Sequence, residues 1–154
     1  MMTDIKKILM IVLAVCMFTG CKENLSHSYL MQHPLVLKKE VTRCQSLVDK
    51  SSDQATQCAS VMSAARDMMA IINEQQEDPE KFGQKILDTE AAYVNAKNDW
   101  RQAQQIVNKL KANNASPAEL DPATEKLAQA QKFYENQSET MKTLLAVAGL
   151  SSPE

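Results

Sequence analysis

One apolar stripe narrows the fold more than any other feature. Phe82, Ile86, Tyr93, Ala96, Trp100, Ala103, Val107 and Leu110 recur in steps of mostly three and four, with Thr89 the one member out of type. Such steps place side chains along one face of an α-helix. The opposite face is Lys, Gln, Asn, Asp and Glu, so this helix has one narrow seam to bury. Asp78 can cap its start, and Pro79 sits at the first helical position, where a missing N–H costs nothing. Gly83 costs about 1 kcal/mol relative to Ala but falls near the frayed end. A helix over 79–111 would extend for about 50 Å at about 1.5 Å per residue. Asn113-Asn114-Ala115-Ser116-Pro117 breaks it.

A second long helix follows. Ser116 and Glu119 have capping-box spacing. Asp121-Pro122 offers a second start, so a short turn over 117–120 is predicted to precede the main helix. Leu127, Ala130, Tyr134, Met141, Leu144 and Ala148 form its stripe, interrupted at Gln137. Gly149 is the predicted stop, because glycine accepts the left-handed conformation past a helix end. Residues 150–154 are then a flexible tail. Two helices of similar length joined by a short break predict an antiparallel, coiled-coil-like hairpin over 78–149. Alone it would bury little, so it needs the upstream helices or another chain against it.

The upstream segment 29–77 reads as a two-helix module with a cysteine pair. Pro34 favours a helix start, while His33 before it is biased away from helical geometry. Leu37, Val41, Cys44 and Val48 keep helical spacing over 35–48. Asp49 to Asp53 is a turn, with Ser52 or Asp53 as the cap of the next helix, which runs to about Asn73. Cys58, Val61, Ala65, Met68 and Ile72 form its stripe, widened by Met62 and Met69. A methionine stripe can serve as a binding groove, but this one reads as ordinary core. The predicted fold class is therefore all-α: a short disulfide-linked helical pair followed by a long antiparallel hairpin, as an elongated small bundle.

The start of the chain bears on location. Lys6 and Lys7 precede an apolar run from Ile8 to Phe18, and Thr19-Gly20 leads into Cys21. A spanning helix needs roughly 20 apolar residues, so this run is too short for one and fits a cleaved secretory signal. Gly20-Cys21 resembles the end of a bacterial lipobox, which implies that residues 1–20 are a lipoprotein signal peptide and Cys21 the lipidated residue, with 21–28 as a polar tether. Stable membrane binding takes two or more acyl chains, which a bacterial lipoprotein would carry on Cys21. Lys22 is not the Asp that often retains such proteins at the inner membrane, so the outer membrane is the expected destination. Cys44 and Cys58 are then the remaining thiols, and in an oxidising compartment they are expected to pair. The bridge would close a loop of about 15 residues, worth about 3 kcal/mol in the chain-entropy account.

Several function classes are disfavoured. After residue 20 the chain has 15 Lys and Arg against 18 Asp and Glu, a mildly acidic mixture without the basic patch of a nucleic-acid surface. Only Gly83 and Gly149 remain, too few for a phosphate cradle. There is no GxSxG, HExxH or CxxCH. Ser, Asp and His residues occur, but no spacing assembles them into a triad. His33 with Cys44 and Cys58 gives three metal ligands at most, without metal-site spacing. Asp88 and Glu90 are too close in sequence to share a helix face, so the carboxylates read as solvated surface. No enzyme, metal or cofactor is expected.

The segments YLMQHPLVLKKEVTRC and QCASVMSAAR carry a resemblance. Cys21, Tyr29, Leu30, His33, Pro34, Val41, Arg43, Cys44, Cys58, Ala59, Ala64 and Ala65 follow a pattern similar to that of the small entry-exclusion lipoproteins of conjugative plasmids and related type IV secretion clusters. The resemblance covers roughly residues 21–69; many members lack a hairpin like the one after Asp78. It implies a lipid-anchored protein that blocks redundant DNA transfer by binding the transfer apparatus, without catalysis. The expected partners are membrane lipid through Cys21 and an envelope protein, with self-association open. The alternative is a structural or spacer envelope lipoprotein with no part in conjugation.

Overall fold

Helix boundaries follow from caps that are visible atom by atom. The computed structural model describes residues 25–49 and 51–150. The predicted signal peptide, Cys21 and residues 151–154 of the predicted tail lie outside the described residues. Five α-helices occupy the described part: α1 (His27–Gln32), α2 (Pro34–Ser46), α3 (Ser52–Glu77), α4 (Pro79–Ala112) and α5 (Pro117–Leu150). The fold is all-α, as the periodicity predicts.

The first departure is α1. The sequence predicts a tether to residue 28 and two helices over 29–77. Instead Ser26 caps a helix that starts at His27, its Oγ accepting from the Tyr29 N–H at 3.2 Å. Six residues are too few to hold a helix alone. Packing supplies the stability, because Leu30 and Met31 are buried. The upstream module therefore has three helices. His33 ends α1 and begins α2 at φ −130°, the non-helical geometry expected before Pro34.

The second departure is the cap of α3, which is Ser51 rather than Ser52 or Asp53. The Ser51 N–H donates to Gln54 Oε1 at 3.0 Å, and Ser51 Oγ accepts from the Gln54 N–H at 3.4 Å. Only Ser51 has a glutamine three residues on, and this reciprocity selects it. Helix α3 runs past Asn73 to Glu77. Asp78 then caps α4, accepting from the Lys81 N–H at 3.0 Å.

Between α4 and α5 the chain reverses through a Schellman turn. Asn114 takes φ 51°, its N–H donates to the Lys111 carbonyl, and the Ala115 N–H donates to the Leu110 carbonyl. Asparagine tolerates the left-handed region, whereas a branched Cβ does not. Asn114→Val is expected to cost about 1–2 kcal/mol, and Asn114→Gly next to nothing, read from urea midpoints. The expected use of Gly149 in this role is corrected: no glycine among the described residues has positive φ, and α5 continues through Gly149 to Leu150.

The predicted turn over 117–120 is also corrected, since α5 is one helix with Pro122 inside it. Proline here frees the Ala118 carbonyl from its i+4 partner. Ala118 is exposed in the first turn, where water can take that bond. The turn itself is anchored by Glu119, whose Oε2 accepts from Ser116 Oγ at 2.8 Å and from the Ser116 N–H at 3.0 Å. These two bonds, the hydroxyl first, hold the Glu119 carboxyl below its ordinary range.

All five helices meet at one end of the hairpin. Leu30 of α1, Leu37 of α2, Val61 and Met68 of α3, Phe82 of α4 and Leu144 with Val147 of α5 share one apolar cluster. Farther along, Ala96 and Val107 are buried outside that cluster. The distal half of the hairpin thus seals its own seam, α4 lying antiparallel to α5.

Candidate interaction surfaces

The predicted disulfide is present. Cys44 near the end of α2 and Cys58 in the second turn of α3 are bonded, with their Cα atoms 5.5 Å apart. Both are buried. Arg43 beside them binds Glu40 through Nε at 2.7 Å and donates from Nη2 to Gln57 Oε1 at 3.2 Å, so α2 is tied to α3 polarly as well as covalently. Lys85 of α4 reaches Glu74 of α3 at 2.6 Å. The lipidation candidate, Cys21, lies outside the described residues.

Both histidines have partners. His33 Nδ1 lies 2.8 Å from the Tyr29 carbonyl oxygen, and its ring stacks on Tyr29 at 4.0 Å. It is exposed and joins neither cysteine. His27, within the predicted tether, has Nε2 2.7 Å from Asp67 Oδ2 on α3. No local pattern announces that contact, since it joins residues 40 apart in sequence.

Among the described residues no polar or charged residue is buried. Among the described residues no three of His, Cys, Asp and Glu are grouped to hold a metal ion, and no helix is long and apolar enough to cross a membrane. What these helices do assemble is apolar and aromatic surface, in two places.

One place is the hairpin seam. Trp100 stacks on Tyr134 with centroids 5.1 Å apart, Tyr93 lies 5.5 Å from the same ring, and Lys97 Nζ sits 5.8 Å from the Tyr93 centroid. Tyr93 and Tyr134 meet hydroxyl to hydroxyl at 3.5 Å. That contact lowers the pKa of Tyr93 and raises that of Tyr134. Beyond them a cleft of about 440 Å³ carries Asp99, Ile106, Glu119 and Lys126, charges of both signs around one exposed isoleucine.

The other place is a groove of about 470 Å³ between α2 and α3, lined by Leu35, Val41, Met68, Met69, Ile72 and the end of α5 at Leu150. Leu35 is 76% exposed, Met69 55% and Leu150 47%. The methionine stripe of α3 therefore divides: Met68 is core as expected, whereas Met69 is not. The volume falls within the range of ordinary ligand clefts, roughly 300–1,000 Å³, but almost all its lining is apolar. No family model, curated protein or solved structure matches this chain.

Proposed function

We propose that this chain is a lipid-anchored protein of the bacterial cell envelope that acts by contact with another envelope protein, in the manner of the entry-exclusion lipoproteins of conjugation and type IV secretion systems. The observation that carries the reading is the Cys44–Cys58 bridge. Disulfides persist in oxidising compartments and are rare in the cytosol, which agrees with export directed by the segment before Cys21. Cys21 holds the acyl chains, with the outer membrane as the destination. The helices supply recognition surface rather than catalysis.

A second reading is favoured by the distal hairpin. Its seam closes on itself, as a rod that spaces one layer of the envelope from another would require. Cys21→Ser is expected to move the protein from the membrane to the soluble fraction, and a variant that stays with membranes would remove the anchor. Recipients carrying the intact protein are expected to receive conjugative DNA less often than recipients without it. Equal transfer with the protein still membrane-bound would leave the spacer reading in place of exclusion.

A further inference from the structure

We propose that the groove between α2 and α3 is the face that rests on the lipid bilayer. The inference rests on the lipid anchor proposed above and adds to it a second, non-covalent contact.

The first support is reach. Cys21 lies four residues before Leu25, at most about 14 Å away at about 3.6 Å per residue. Leu25 packs on the cluster that contains Leu37 and Met68, and those two residues also line the groove. Cys21 is therefore tethered to the end of the molecule that carries the groove. Tethering makes the second contact intramolecular, so it needs little intrinsic affinity.

The second support is chemistry. Leu35, Met69 and Leu150 come from three helices and stand out around one apolar mouth. Lys38 lines that mouth. Lys39, one turn after Leu35, and Arg66, one turn before Met69, are exposed. The first turn of α2 carries no acidic residue, and the next carboxylate on α2, Glu40, is engaged by Arg43. Apolar side chains flanked by cations suit the boundary between acyl chains and anionic headgroups. The charged cleft at Asp99 and Lys126 has no such arrangement. Leu150 ends α5 at the groove, so the opposite end of that helix, at Pro117, is about 50 Å away at about 1.5 Å per residue. The contact is confined to the anchor end of the rod.

The test uses the full acylated protein in vesicles of phosphatidylethanolamine and phosphatidylglycerol doped with brominated phosphatidylcholine. A fluorophore is attached at Met69→Cys, or at Phe133→Cys as an exposed apolar site on the hairpin. Several-fold stronger quenching at position 69 than at 133 is expected. Leu35→Asp, a change at an exposed site, should bring quenching at 69 down to the level at 133. Equal quenching at the two positions, or none at 69, overturns the proposal. So does self-association in sedimentation without quenching, which would put a second copy in the groove. Intact mass reports separately whether Cys21 is acylated. A lipidated chain unquenched at 69 keeps the anchor and loses the docking face, and an unlipidated chain quenched at 69 does the reverse.

Discussion

Leu30→Ala is expected to lower the free energy of unfolding by about 3 kcal/mol, within the 2–5 kcal/mol typical of emptying a buried leucine site. Leu30 has no exposed surface, and it comes from a six-residue helix whose existence depends on packing. The vacated volume lies where α1 meets α3, α5 and α2, so no single neighbour can collapse into it. Besides the shift in urea midpoint, amide exchange across 27–32 should accelerate more than exchange in the distal hairpin, which has its own buried residues at Ala96 and Val107. Leu87→Ala, at a leucine 58% exposed, is the matched control and should stay within about 0.5 kcal/mol of the parent. Equal costs at the two positions would mean that α1 is not held through Leu30.

Periodicity resolves a helix where one face alone meets a neighbour, and it misses contacts added from a second side. Over 93–110 the predicted stripe is the observed seam, because α4 there packs along α5; near Phe82 and Lys85 it also meets the shared cluster and α3. Toward the end of α5 the buried face widens. Leu144 belongs to the predicted stripe, but Val147 is fully buried although the stripe placed Ala148 there. The extra side is covered by α1 and α3, whose positions no local pattern in α5 can reveal. Helix α1 escaped for a related reason: in His27–Gln32 only Tyr29, Leu30 and Met31 are apolar, too few to show a period. The Ser26 cap was a usable signal, as was the Ser51-to-Gln54 spacing at α3. The groove was half legible. The sequence places Met69 in a methionine stripe but Leu150 in a tail, and the groove that Leu150 shares with Leu35 depends on where α5 ends against α3.

Removing the bridge, by reduction or by the paired changes Cys44→Ala and Cys58→Ala, is expected to cost about 3 kcal/mol from the entropy returned to the unfolded chain. That is a large share of the roughly 5–15 kcal/mol that stabilises a typical native domain. The bridge spans 14 residues in sequence, including the connection through Leu47, Val48 and Asp49, where Val48 is 95% exposed and holds nothing. Without it α2 is kept on α3 by the Arg43–Gln57 hydrogen bond and by apolar contact at one edge of the core. The urea midpoint should fall with reductant in the parent and be indifferent to reductant in the double variant. Far-UV ellipticity should change little at first, because α4 and α5 hold most of the helical residues and seal each other distally. The α2–α3 groove should loosen first, since these two helices form its walls. Quenching at position 69 by brominated lipid should therefore weaken on reduction before the hairpin unfolds. A midpoint unmoved by reductant would mean that packing at Leu37 and Val61 fixes α2 without the bridge.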